Sequence, residues 1–355
     1  MNRHLKKISS IYLYDKKNTL KIINKLEIIK DKNFVVFYNP ECIGIMNSTI
    51  EMFKSENAVS LNELFNKKQI NNIAETIVKF GFKQVIFSTM AFGYKDLAEK
   101  IYGLNNKIKI KFLWHGSHSL FVNYNEQKFL ESILELQKRK VVSSIGFLKK
   151  SMANYYSKKG YNTMFVMNNV NLDVIPEKIS IDKINDNKST RIGVYSSGDR
   201  WEKNTYNQLS ACAMMKNVIV DILPKTKLAV SFCKLMNLQI NDEKLNYKVS
   251  RSELIKLMAN NDLNLYVTFT ECAPMIPLES LEVGVPCLMG NNTSYFENSK
   301  LNDYLVVKEE DSIDEIYSKM KVCLENKKEI ITLYREWKKQ YDIDSKQSVK
   351  EFLEI

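Results

Sequence analysis

Short β-branched and aromatic runs alternate along the chain with longer stretches whose apolar positions recur every three or four residues. That alternation is the pattern of α/β units rather than of an all-β domain. In the first half, residues 33–38, 83–88, 108–114, 140–145 and 164–169 predict strands, and 61–80 and 125–140 predict amphipathic helices. In the second half the predicted strands are 191–197, 217–223, 228–232, 263–269 and 285–290. Ser250 and Glu253 form a capping-box pattern at the head of a further helix, and the chain reads as helical from about Ile313 to its end. Residues 173–190 are polar, contain a Pro and show no apolar period, so they predict a linker. The expected organisation is therefore a domain over 1–172, that linker, a second domain over 191–335, and a C-terminal helix over 336–355 that packs back on the first domain.

Composition narrows the class. A chain of 355 residues exceeds one ordinary core, and 45% hydrophobic with 26% charged residues excludes a disordered protein. No run approaches the ~18 apolar residues that span a bilayer. The first residues, basic but broken by serines and tyrosines, are too polar for a signal peptide, so a cytoplasmic location is expected. The six cysteines are scattered, without a C-x-x-C pair or a His at zinc spacing, which predicts reduced thiols and no metal site.

Charge is unevenly placed. Residues 1–170 carry 27 Lys+Arg against 13 Asp+Glu, a net of +14, while residues 171–355 carry 25 against 28, a net of −3. A compositional bias toward Lys, Asn and Ile would inflate both halves, so the asymmetry points to an anionic partner for the first. The inner face of an anionic membrane and an acidic acceptor both fit. Nucleic acid fits the charge alone, since no zinc-finger spacing, RNP-like motif or recognition helix accompanies it.

The strongest local pattern for chemistry is residues 269–292. After a predicted strand comes Glu271, a seven-residue spacer, then Glu279 inside a helix that starts near Pro277 and stops at Gly284 before Pro286. A helix N-terminus offers N–H groups and partial positive charge to a pyrophosphate. A carboxylate before it and another on its first turn can each accept two hydroxyl hydrogen bonds. Together they suit a sugar nucleotide, with two sugars flanking phosphates. An isolated pair of glutamates at this spacing would be only a strand–helix turn; the flanking strand and the Pro-started, Gly-ended helix favour the functional reading.

This stretch resembles the retaining glycosyltransferases of family 4, which have the GT-B fold: Pro277-Leu278-Glu279-Ser280 and Gly284-Val285-Pro286 occupy the places of that family's signature. The resemblance implies an α/β protein of two Rossmann-like domains facing each other across a cleft. It implies that Glu271 and the adjoining backbone meet the donor sugar and that Glu279 meets the ribose. Pro274 replaces a usual glycine and has no N–H, so donor contacts fall to the amides of Met275 and Ile276. In the resembled family a turn after the domain's first strand carries an Arg and a Lys that clamp the donor pyrophosphate. Here that turn contains Gly198, Arg200 and Lys203, with Arg200 closer to Lys203 than is usual.

In the first half, His115 and Gly116 follow a predicted strand at the end where open α/β sheets bind ligands. They match a family His that faces the donor sugar. His118 is a weaker candidate, and Ser144, Phe147 and Lys149 are as well explained by core and surface roles as by an acceptor site. The resemblance covers 191–345 most specifically and 108–173 in part. It implies transfer of a hexose from a UDP- or GDP-sugar to a hydroxyl of a glycan or lipid-linked acceptor, with retention, and without cofactor or metal because the basic side chains offset the leaving charge. The rival readings are a sugar-nucleotide epimerase of the same architecture and a non-catalytic, glycosyltransferase-like binding subunit.

Overall fold

The computed structural model describes residues 16–172, 189–196, 198–241 and 248–354. The chain forms two compact units, Met1–Asn169 with Asp344–Ile355 and Val170–Ile343. The first boundary falls three residues before the expected 172, and the second eight residues past 335.

Unit 1 is a parallel sheet with the strand order β2-β1-β3-β4-β5-β6. Its strands are β1 (Phe34–Tyr38), β2 (Ala58–Ser60), β3 (Gln84–Ser88), β4 (Lys109–Trp114), β5 (Ser144–Phe147) and β6 (Thr163–Phe165), interleaved with α1 (Lys16–Ile28), α2 (Ile43–Phe53), α3 (Lys67–Lys79), α4 (Tyr94–Leu104), α5 (Tyr124–Lys138) and α6 (Lys150–Lys158). Helices cover both faces of such a sheet, so its strands are nearly continuous apolar runs. Phe37, Phe87 and Phe112 stand in register on β1, β3 and β4, with ring centroids 5.7 and 4.9 Å apart. α3 shows why the apolar period was legible: Ile70, Ile73, Ala74 and Ile77 are buried, and Asn66 caps its start by accepting from the Lys68 amide. The predicted strand at 140–145 begins later, at Ser144. Lys140 adopts a positive φ of 63°, which delays the extended run, although Val141 and Val142 are buried beside it.

Unit 2 is a second parallel sheet, β12-β11-β10-β7-β8-β9. Its elements are β7 (Thr190–Tyr195), α7 (Thr205–Ala213), β8 (Val218–Leu223), α8 (Lys227–Leu235), β9 (Gln239–Ile240), α9 (Arg251–Ala259), β10 (Leu263–Tyr266), α10 (Ile276–Glu282), β11 (Cys287–Gly290), α11 (Leu301–Leu305), β12 (Val306–Val307), α12 (Ile313–Glu325) and α13 (Lys327–Glu354). The predicted strand 228–232 is wrong: it lies inside α8. Thr226 caps that helix through the Ala229 amide, and Ala229 and Cys233 are buried one helical turn apart. Five apolar residues are too few to show which period they follow. Of the expected linker, 173–188 lies outside the described residues, and Thr190 already belongs to β7. The capping box at Ser250 and Glu253 is formed in both directions.

The last turns of α13 belong to unit 1. Lys111, fully buried on β4, donates to the carbonyls of Phe352 at 2.6 Å and Leu353 at 3.0 Å. A cation there satisfies carbonyls that a helix end leaves without intrahelical partners and complements its dipole. Among the described residues, no helix is long and apolar enough to cross a membrane.

Candidate functional site

β7 and β10 are neighbours at the centre of the unit 2 sheet and run parallel, so the loops after them emerge side by side at its carboxyl edge. That adjacency joins the two sequence patterns. The Lys203 ammonium hydrogen-bonds the Glu271 carboxylate, with Lys203 only 4% and Glu271 15% exposed. Tyr266, the last residue of β10, donates its hydroxyl to the same Glu271 Oε1 at 2.7 Å, and Lys203 Nζ lies 3.5 Å from that hydroxyl. Burial, reinforced by the Glu271 charge, raises the Tyr266 pKa well above the ordinary phenol value. The phenol therefore remains a donor at any physiological pH.

The turn that carries Lys203 is itself held. Gln208 on α7 donates to the carbonyls of Lys203 at 2.9 Å and Asn204 at 3.1 Å, and its own carbonyl accepts from the Val267 amide at 2.9 Å. The Phe269 amide donates to the Glu202 carbonyl, and the rings of Trp201 and Phe269 stack 5.9 Å apart. Arg200 is exposed and engages the buried carboxylate of Glu202 at 2.8 Å. Gly198 has a φ of +156°, and its carbonyl accepts from Ser196 Oγ.

α10 starts at Ile276, so Pro277 is its second residue rather than its first. Gly284 follows the helix in the left-handed conformation, with φ +82°. Met275 is the N-cap; the first bond of this helix runs from the Glu279 amide to the Met275 carbonyl, so the amides of Met275 and Ile276 precede the helical ladder. Tyr295 pins the preceding loop by donating to the Pro274 carbonyl at 3.0 Å. Glu279 is buried and bound by Arg251 Nε at 2.6 Å, from the first residue of α9.

In unit 1, His115 follows β4 at the carboxyl edge of its sheet. Its Nε2 lies 2.8 Å from Ser88 Oγ, which lies 2.6 Å from Thr49 Oγ1, which donates to the Ile45 carbonyl at 2.7 Å. Each hydroxyl has one proton. The Thr49 proton goes to a carbonyl, so Ser88 must donate to Thr49, and His115 Nε2–H must donate to Ser88. The relay assigns the tautomer and leaves Nδ1 as the acceptor. Burial pushes the His115 pKa down to about 3, so the ring is neutral. The unfolded imidazole takes a proton below ~6.5 and the folded one only near that lower value. This contribution to stability is therefore complete above ~6.5 and is lost as the pH falls. In ¹⁵N NMR spectra, His115 should keep an Nε2-protonated signature from neutral pH down to about pH 5, and Ser88→Ala should abolish the tautomer preference. A ring titrating near pH 6 would contradict the relay. His118 instead bonds the Tyr156 hydroxyl at 2.9 Å and packs among Phe121, Tyr155 and Tyr156.

No protein-family model matches the chain, and no curated protein does. Solved structures do resemble it. HepE from Anabaena in complex with UDP and glucose aligns with a TM-score of 0.66 at 12% identity, over 91% of this chain and 100% of that one. A UDP-forming α,α-trehalose-phosphate synthase from Burkholderia xenovorans in complex with glucose-6-phosphate gives 0.63 at 9% identity, over 90% and 99%. Trehalose-6-phosphate synthase OtsA gives 0.62 at 9% identity, over 91% and 98%. The chain has the GT-B fold.

Within this GT-B chain the predicted residues divide between the units. Lys203 and Glu271 meet directly, Glu279 is held one helical turn into α10, and His115 stands at the corresponding edge of the unit 1 sheet. Tyr266, Gln208, Arg251, Ser88 and Thr49 were not predicted. Arg251, Ser88 and Thr49 act through partners distant in sequence. Tyr266 lies five residues before Glu271 in the predicted strand, and Gln208 bonds both its own turn and the distant Val267 amide.

Proposed function

We propose that this protein is a glycosyltransferase, of the retaining family 4 type, that transfers a hexose from a nucleoside-diphosphate sugar to a hydroxyl of a glycan or lipid-linked acceptor. The observation that carries the proposal is the buried Lys203–Glu271–Tyr266 cluster at the carboxyl edge of β7 and β10 in a chain with the GT-B fold. HepE, with UDP and glucose bound in its structure, and the UDP-forming trehalose-phosphate synthase of Burkholderia xenovorans support a sugar-nucleotide donor.

In this reading the Lys203 ammonium has three protons, and the one not spent on Glu271 and Tyr266 binds the donor pyrophosphate. Arg200 adds positive charge at the rim of the same loop. As the anomeric C–O bond to phosphate breaks, these groups offset the charge on the leaving nucleotide, which makes the reaction independent of metal. Glu271 accepts from hexose hydroxyls, Met275 and Ile276 offer amides to the sugar, and the Glu279–Arg251 pair holds the ribose. The acceptor oxygen bonds the anomeric carbon on the face the nucleotide leaves, and its proton passes to the leaving phosphate oxygen. His115, neutral with Nδ1 as acceptor, receives a sugar hydroxyl proton in a hydrogen bond. The protein works in the cytoplasm, at the inner face of the membrane.

The test is release of free nucleoside diphosphate from a panel of UDP- and GDP-sugars, with and without acceptor, combined with two substitutions. Glu279→Gln should weaken nucleoside diphosphate and intact donor alike, by about tenfold to a hundredfold, the ~1.5–3 kcal/mol of a charge-assisted hydrogen bond. Glu271→Gln should leave nucleoside diphosphate binding nearly intact and lower turnover, because the hexose is gripped most tightly as charge develops. Binding of donor without release points to a non-catalytic subunit, and conversion of donor to an epimer without release points to an epimerase. Two variants with unchanged binding and turnover would reduce the cluster to a structural turn.

A further inference from the structure

The basic excess of the first half has a place in the fold. All strands of unit 1 run parallel, so the segments leading into them lie along one edge, opposite the carboxyl edge that carries His115. Four adjacent strands, β3 to β6, are preceded by residues 79–83, 105–109, 138–143 and 158–162. These segments contain Lys79, Lys83, Lys107, Lys109, Lys138, Arg139, Lys140, Lys158 and Lys159, all exposed, and not one Asp or Glu. Arg139 is engaged by Glu99 and Glu135, and the other eight cations of this row of segments are lysines. At ~4.8 Å per strand the row is about 14 Å long. At the carboxyl edge, burial and then the charges of Glu126, Glu41 and Glu63 raise the Cys42 thiol pKa.

We propose that this amino edge of unit 1 is a docking surface for an anionic lipid bilayer. Two observations favour a bilayer over a nucleic acid or an acidic protein. The charges are lysines, compact and flexible, suited to a diffuse anionic surface rather than to the bidentate phosphate contacts that arginines make. They form an open row of helix ends, turns and a strand start rather than a groove. Within the row, Lys138, Lys140, Lys159, Tyr161 and Asn162 line a recess of about 390 Å³, enough for a phosphate-bearing headgroup. Its wall is fixed by Gln137, whose side chain donates to the Asn162 carbonyl and accepts from the Asn162 amide. Docked in this way, the carboxyl edge with His115 points away from the bilayer, toward a soluble glycan or the distal end of a long lipid-linked one.

The experiment is co-sedimentation of the full chain with phosphatidylglycerol–phosphatidylcholine vesicles and with pure phosphatidylcholine vesicles, at low and high salt. Binding is expected to the anionic vesicles only and to fade as salt screens it. Substituting Lys83, Lys107, Lys140 and Lys159 together by Gln should weaken partitioning by at least ~100-fold, and each pair of them should give an intermediate loss. Substituting Lys256, Lys321, Lys328 and Lys339, exposed lysines of unit 2, changes net charge equally and should cost only a fewfold. Donor hydrolysis should be unchanged in both variants, so failure here leaves the proposed reaction untouched, and the converse. Equal losses in the two variants, binding to neutral vesicles, or tighter binding to heparin or RNA than to vesicles at the same salt would each overturn the proposal.

Discussion

Lys203→Met is expected to lower turnover by about 10²- to 10³-fold, the range found when one group stabilising the developing charge is removed. It is also expected to destabilise unit 2, because the Glu271 carboxylate, only 15% exposed, would lose the ammonium that binds it. Breaking a buried pair from one side costs about 3–5 kcal/mol, toward the lower end where one partner reaches solvent. The two effects separate in the double variant Lys203→Met/Glu271→Gln. Removing the carboxylate's charge as well should recover most of the lost melting temperature and none of the lost turnover. Recovery of both would make the pair a packing device; loss of neither in the single variant would remove Lys203 from the site. Thermal denaturation and initial rates of nucleotide release measure the two quantities.

Gly193→Ala should unfold or severely loosen unit 2. A Cβ at this position of β7 would lie 2.3 Å from Asn264 Oδ1, 2.4 Å from Tyr195 Cε2 and 2.5 Å from Asn261 Nδ2. Those atoms belong to a buried network: Tyr195 donates to Asp221 at 2.9 Å, Asn261 donates to Tyr195 at 2.7 Å and to Asn264 at 2.8 Å, and Asn264 donates to Ser280 Oγ at 2.7 Å. The network ties β8, β7 and β10 to α10, and with it the loop that bears Glu271. Overpacking alone costs about 1–3 kcal/mol, and displaced buried amides add ~1–3 kcal/mol each. A fall in the denaturant midpoint with an unchanged slope would report the expected loss. A wild-type midpoint would show that the network yields to a methyl group at no cost.

Much of this protein was legible before its structure. Alternating periods determined two α/β halves because a buried parallel strand and an amphipathic helix each leave a local imprint. Residues 228–232 show the limit, since a five-residue apolar run fits both periods and only the Thr226 cap and the spacing of Ala229 and Cys233 decide for helix. Lys203, Glu271 and Glu279 were recognisable because a strand-to-helix turn written in consecutive residues carries its chemistry with it. That Lys203 and Glu271 touch followed from the pairing of β7 with β10, strands about seventy residues apart in sequence. Gln208, Arg251, Ser88 and Thr49 gain their roles the same way, from hydrogen bonds to distant segments, whereas Tyr266 meets Glu271 five residues on, at the end of a strand that the sequence did predict. The sequence by itself also determined that the first half is strongly basic, but not where the charge lies. Parallel strand order decided that, gathering the segments that lead into β3 to β6 along one edge, with Glu41, Glu63 and Glu126 at the other.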